Sequence, residues 1–395
     1  MTVIGRAYSK STPTLNRALD LLSPNWTAYR YSPKIAYAGI MKLDGNSFDR
    51  GLAHGRLFRN IIPDLVRRNL LRPLASVNAR LVESKHESLL KAYSRYIPQA
   101  VQEMKGIAAG VGIPFPIIFD YNVQPILLLD VIASSCTGIW LRDEDGTTIH
   151  AGSLDSGFPD GSYLVRKVSA TTELSYLGGM VVGTAWTTFG MNEAGLTISG
   201  ASVNSRMIPV DTQKSEGSGV DVNSLASVIL ETASTVEEAK QLIESPTAIL
   251  PFNSGTNLII SDVRGNVVKV EICGKDRNFV GSNGSMLLCT NHFTDRLEPL
   301  NRHDTAYVES LHAASVARYH TLEKYFEDTT KCTVRGVVKL LRKHDQPGAI
   351  CRHYGREGEL GQTTQAYVMI PAQRQLLFWN GNPCVRKQRE ASLAS

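Results

Sequence analysis

The feature that most constrains this chain is a change of texture at Ser135-Cys136. Upstream of it, apolar residues recur at helical spacing. The stretch 48–68 carries Leu52, Leu57, Ile61, Ile62 and Leu65 on such a repeat, and 86–110 carries Leu89, Leu90, Tyr93, Tyr96, Ile97, Val101 and Met104. Gly110 and Gly112 end the second helix, and Pro114 and Pro116 mark the break beyond it. Downstream the chain becomes short β-rich runs between turn signals: 137–141, 147–151, 163–168, 174–182, 186–190 and 196–199. A helix over 225–244 leads to strands at 256–261, 266–272 and 285–290. Helices at 306–326 and 334–343 and closing strands at 365–370 and 375–380 follow. This order predicts an α+β domain in which helices cover sheets.

Composition excludes several function classes. Lys plus Arg number 42 against 37 Asp plus Glu, with no dense basic block, which argues against nucleic acid as a partner. The longest apolar stretches, 113–119 and 123–132, are too short for a membrane span, and the polar segment 1–11 reads as neither signal peptide nor anchor. The six cysteines form no CxxC pair and no framework spacing, so a reducing, cytoplasmic setting is expected, with Cys273 and Cys289 as small buried hydrophobes. No cluster with metal-ligand spacing stands out among the nine His residues, and no metal or cofactor is expected. Gly281-Ser-Asn-Gly284 is a turn and not a phosphate loop.

Within Ser134-Ser135-Cys136-Thr137-Gly138 a nucleophilic residue begins a strand. Its thiol needs a base, and no His lies beside it. Peptide cleavage before Cys136 supplies one, because a freed α-amine with a pKa of about 8 serves as general base for its own side chain.

The surrounding residues extend this reading. Asp44-Gly45-Asn46-Ser47-Phe48-Asp49-Arg50-Gly51 with His54-Gly55, then Glu103-Met-Lys-Gly106-Ile-Ala-Ala-Gly110, precede the Cys136-Thr137 pair. After it come Ala151-Gly152-Ser153-Leu154-Asp155, Gly190-Met-Asn-Glu-Ala-Gly195-Leu196, Thr290-Asn291-His292-Phe293, Ile350-Cys351-Arg352-His353 and Gly381-Asn382-Pro383-Cys384. In this order the motifs resemble the acyl-coenzyme A:isopenicillin-N N-acyltransferase family of cysteine N-terminal-nucleophile hydrolases. Its relatives include carcinine and β-alanyl-dopamine hydrolases.

The resemblance implies a four-layer αββα sandwich with two stacked antiparallel sheets. It also implies autocatalytic cleavage between Ser135 and Cys136, giving a helical α-chain (1–135) and a catalytic β-chain (136–395) that stay associated. It casts Cys136 as nucleophile, Asp155 as the carboxylate orienting its amine, and Asn291 as donor to the oxyanion beside backbone N–H groups. His292 is read as structural or pocket-lining, since the free amine makes a second base redundant.

Thr137, Ser153 and His292 are candidates for substrate contact. Arg352 and Arg356 are the nearest bases for a substrate carboxylate, although the family's functional Arg aligns with Leu360. Two departures bear on this: Ser135 stands where Gly commonly precedes the nucleophile, and Ser153 replaces an Asn. Gly190 to Leu196 is expected to form a packing turn.

The activity implied is transfer of an acyl group from a small-molecule amide or thioester, acyl-coenzyme A among the donors, through an acyl-Cys136 thioester to an amine or water. The alternatives are an amidase resembling bile-salt hydrolases or acid ceramidase, and an unprocessed, non-enzymatic relative.

Overall fold

The computed structural model describes residues 39–71, 74, 79–123, 135–156, 162–204, 207–208, 219–244, 255–327, 333–353 and 361–393, apart from 144, 275 and 283. The sequence-based expectations for 1–11, for Arg356 and Leu360 and for much of 123–132 lie outside these residues.

Two sheets stack face to face. The larger has eight strands in the order β1 (Ile40–Asp44), β4 (Tyr163–Ser169), β5 (Tyr176–Val181), β6 (Phe189–Asn192), β7 (Thr197–Val203), β8 (Gly255–Ser261), β9 (Val267–Cys273), β10 (Asp276–Gly281). The smaller has six: β11 (Met286–Cys289), β2 (Ser135–Arg142), β3 (Thr148–Ser156), β12 (Gln362–Ile370), β13 (Gln375–Asn380), β14 (Arg389–Ser392). Every pairing is antiparallel except β1 with β4. Trp140, Val165, Leu177, Met191, Ile259 and Met369 fill the space between the sheets, where the Phe189 and Tyr367 rings stack with centroids 3.8 Å apart.

The outer face of the larger sheet is covered by α1 (Ser47–Leu57), α2 (Ile62–Val66), α3 (Ala79–Tyr96), α4 (Pro98–Val111), α5 (Phe115–Asn122), α6 (Val222–Thr232) and α7 (Val236–Glu244). On the outer face of the smaller sheet lie α8 (Ala306–Glu327) and α9 (Val334–Leu341). The result is the expected αββα arrangement. Among the described residues, no helix is long and apolar enough to cross a membrane.

Three expected helices are each divided. Pro63 starts α2, so 48–68 is not one helix, and Pro98 opens α4 after Ile97 leaves helical geometry. Between α6 and α7, the Thr235 hydroxyl accepts from Glu238 N–H and the Glu238 carboxylate accepts from Ser234 N–H, a new helix start inside 225–244. Gly112 closes α4 at φ 79°, a left-handed turn that favours glycine. The expected strand 186–190 begins only at Phe189, and β1, β10 and β14 were not anticipated.

The first two motifs meet each other. Gly51 and Gly55 on α1 face Gly106 and Gly110 on α4 so closely that a Cβ on Gly51 would lie 2.0 Å from the Glu103 carbonyl oxygen, and one on Gly106 would lie 2.1 Å from that of Phe48. Two ion pairs tie this layer to the chain beyond Cys136. Arg50 reaches Glu231 at 2.8 Å and Glu103 reaches Arg166 at 2.7 Å, and all four side chains are buried. His54 accepts from Gly183 N–H at 3.0 Å, and burial holds its ring down at about 3 and neutral, as an acceptor must be.

Candidate active site

The β2–β3 hairpin sets the local geometry. Its turn at Asp143 to Gly146 places Ser135 across from Asp155, Cys136 across from Leu154 and Thr137 across from Ser153. Asp155 therefore lies level with Ser135. Thr137 and Ser153 are both fully buried and hydrogen-bond each other through their hydroxyls at 2.7 Å.

On the other side of β2, Cys289 of β11 pairs with Gly138, so the chain leaving β11 brings Asn291 level with Cys136. There the Cys136 backbone N–H donates to Asn291 Oδ1 at 2.7 Å. Arg318 Nη2 donates to the same oxygen at 2.5 Å, and Asn291 Nδ2 donates to the Ser202 carbonyl at 2.7 Å. Two donors at one end and a carbonyl at the other determine which way the amide points. Donation by Asn291 to an oxyanion needs the end that here bonds Ser202.

Arg318 is a functional candidate that the sequence did not reveal. One face of α8 presents it together with Ser315, whose hydroxyl accepts from Asn291 N–H at 2.7 Å. Both side chains are buried. Their spacing, Ser315 to Arg318, was the available signal, but an Arg inside a long helix ordinarily reads as solvent-facing.

Asp155 is 1% exposed and its Oδ1 accepts from the Thr363 hydroxyl at 2.7 Å. Thr363, on β12, also accepts from Arg352 N–H at 2.9 Å and donates its own N–H to the Arg352 carbonyl at 3.0 Å. Arg352 thus reaches the site through its backbone, by way of Thr363. His292 Nδ1 meets the hydroxyls of Thr290 (3.0 Å) and Ser315 (2.9 Å). Burial, with the charges of His312 and Arg318, holds this ring down at about 3, so it is neutral at physiological pH.

The thiol of Cys136 is buried. Burial first, and the Asp155 carboxylate second, push it up to about 11, while the Asp155 backbone, Arg318 and Asn291 pull the other way. In this uncleaved chain the sulfur is a protonated thiol at neutral pH. Cys273 and Cys289 are buried as expected.

The turn from Gly190 to Leu196 is structural. The Asn192 side chain accepts from Leu196 N–H and donates to the carbonyls of Leu230 and Ala233, pinning the β6–β7 turn to α6.

Comparison with known proteins adds the following. The model of a family described as acyl-coenzyme A:6-aminopenicillanic acid acyl-transferase matches residues 154–383, a stretch that contains Asp155 and Asn291 and begins after Cys136. No curated protein matches the chain. Among solved structures, a mutant conjugated bile acid hydrolase from Clostridium perfringens is similar over 65% of this chain and 96% of its own, at 16% identity and TM-score 0.41. Penicillin V acylase from Agrobacterium tumefaciens is similar over 66% and 87%, at 16% identity and TM-score 0.42. A Caenorhabditis elegans ortholog of N-acylethanolamine-hydrolyzing acid amidase is similar over 60% and 93%, at 16% identity and TM-score 0.41.

Proposed function

Because the chain belongs to the acyl-coenzyme A:6-aminopenicillanic acid acyl-transferase family, we propose that it is a self-processing cysteine N-terminal-nucleophile enzyme that forms an acyl-Cys136 thioester and passes the acyl group to an amine or to water. The observation that carries this reading is that the site grips the nitrogen of Cys136: Asn291 Oδ1 accepts from it, and Arg318 and Ser315 hold Asn291 in place. A nucleophile whose base is its own α-amine needs that nitrogen fixed. A cysteine that served only packing needs a partner for its N–H, but not one held in turn by a buried guanidinium.

In processing, the Cys136 sulfur attacks the Ser135 carbonyl carbon, the C–N bond breaks as the C–S bond forms, and the thiol proton passes to the departing nitrogen. Water then cleaves the thioester, leaving a Ser135 carboxylate, a free thiol and a free α-amine. Asp155, level with Ser135, would orient that amine.

In turnover the amine takes the thiol proton as the sulfur attacks a substrate carbonyl, then gives it to the leaving amine or thiolate. This removes the difficulty of a thiol pushed up to about 11, since the proton moves only as the C–S bond forms. Acyl-coenzyme A is one acyl donor of the right chemistry, and amides of small molecules are the other. Cleaved chains would remain together through the buried pairs Arg50–Glu231 and Glu103–Arg166 and the β1–β4 pairing.

The test is adduct mapping. The processed protein is incubated with an acyl thioester or an activated amide, digested at low pH, and examined for acyl mass on the peptide that begins at Cys136. The reading predicts the adduct there and nowhere on Cys273 or Cys289. Turnover with no adduct at Cys136 would contradict it.

A further inference from the structure

Three side chains that the mechanism does not use converge below the site. Cys351 lies before β12 and His353 two residues after it, while Cys384 follows β13, 33 residues on in sequence. Cys351 Sγ is 3.5 Å from Cys384 Sγ and 3.7 Å from His353 Nε2, and Cys384 Sγ is 3.2 Å from His353 Nε2. Cys351 is buried and the other two are half-buried.

We propose that Cys351, His353 and Cys384 are ligands of a zinc-binding site. A zinc ion with Zn–S bonds of about 2.3 Å and a Zn–N bond of about 2.0 Å holds its ligand atoms at the corners of a tetrahedron. The edges are about 3.8 Å between sulfurs and about 3.5 Å between sulfur and nitrogen. The three observed separations come within about 0.4 Å of those edges. The donor set, two thiolates and one imidazole, favours zinc over hard cations.

Neighbouring side chains pack on the group. Asn382 Nδ2 approaches Cys351 Sγ at 3.5 Å as a donor, and the edge of His344 packs on the His353 ring with centroids 5.9 Å apart. Both ligand-bearing segments are already fixed by hydrogen bonds to backbone carbonyls. Cys351 N–H donates to the Lys343 carbonyl at 2.7 Å, Arg342 Nε donates to the Pro383 carbonyl at 3.1 Å, and Gly381 N–H donates to the Thr364 carbonyl at 2.8 Å. Among the described residues no fourth Cys, His, Asp or Glu joins the group.

Such an ion would be structural. Cys351 and His353 flank Arg352, whose backbone pairs with Thr363, and Thr363 donates to Asp155. Zinc would therefore hold the 351–353 segment to the turn after β13 and keep Thr363 against the Asp155 carboxylate.

The direct experiment is elemental analysis of the untagged full chain after dialysis, with zinc as the metal supplied. About one zinc per chain is expected, lost on Cys384→Ser and on His353→Ala. Replacement of zinc by cobalt should give the thiolate-to-cobalt charge-transfer absorption that oxygen and nitrogen ligands alone do not produce. Should either variant fail to fold, the metal content and cobalt spectrum of the unaltered chain still decide. A Cys351–Cys384 disulfide in the purified protein, or both thiols free with no zinc retained after incubation, would overturn the proposal.

Discussion

The glycine-lined contact between α1 and α4 and the buried polar cluster at Cys136 are both built from motifs that stand out in the sequence, yet the two places use them for opposite purposes. In the first, Gly51, Gly55, Gly106 and Gly110 are small because backbone meets backbone, and nothing there can react. In the second, Cys136, Asp155, Asn291 and Arg318 are buried polar groups that align one another, and their packing matters only as far as it holds that alignment. A motif therefore marks a constraint without saying whether the constraint is steric or chemical. The buried ion pairs join the two regions, since each has one partner before Cys136 and one after it.

This contrast can be broken by substitutions that should damage one side only. Asp155→Asn keeps the shape and removes the charge beside Ser135. Processing and turnover should fall about 10²–10⁴-fold, the range for loss of assistance to proton transfer, with the thermal midpoint little changed. A loss of folding in this variant would move Asp155 to the steric side. Gly106→Val should do the reverse. Its side chain cannot fit against the Phe48 carbonyl without separating the helices, at about 3 kcal/mol, read by denaturant melts, with unchanged activity per folded molecule.

The ion pairs offer a pH-dependent probe. Burial raises the Glu231 carboxyl from 4.5 to about 7 against the opposing pull of Arg50. The folded chain thus holds this proton more tightly than the unfolded chain. The group's contribution is fully present below about 4.5 and is lost as pH rises through about 7. Glu231→Gln should flatten the fall in stability across that window by about 3 kcal/mol. An unchanged slope would show that another group sets it.

The smallest effect expected is the most informative about Asn291. Asn291→Asp keeps an acceptor for the Cys136 nitrogen and for Arg318, and Asn291→Ala keeps neither. The Asp variant should process roughly tenfold faster than the Ala variant, a difference of about 1.4 kcal/mol. Equal rates would mean that the amide's donor end is what matters.

Much of this was legible in the sequence, for identifiable reasons. Cys136, Asp155 and Asn291 sit in short contiguous motifs, and the turns at Asp143 to Gly146 and Gly190 to Leu196 carry their own Gly and Asn signals. The sandwich came from resemblance and not from periodicity, because the central strands β3 and β8 are buried at every residue and show no alternation. The edge strand β10 is partly exposed throughout and carries charge, so its pattern has no apolar face to detect. Arg318 lies 27 residues from its partner Asn291, and the Cys351–His353–Cys384 group is assembled from segments that only the β12–β13 hairpin brings together. The helix breaks at Pro63, Pro98 and Thr235 were readable, since proline at a helix start and a Thr-x-x-Glu cap are local signals.

The most direct test of the central claim is the mass of the denatured protein, for the unaltered chain and for Cys136→Ala. The account predicts that the unaltered chain, 43.3 kDa in all, separates into pieces of about 15 and 29 kDa, the larger beginning at Cys136, while the variant stays whole. A single uncut chain in both samples, or the same cut in both, would contradict it.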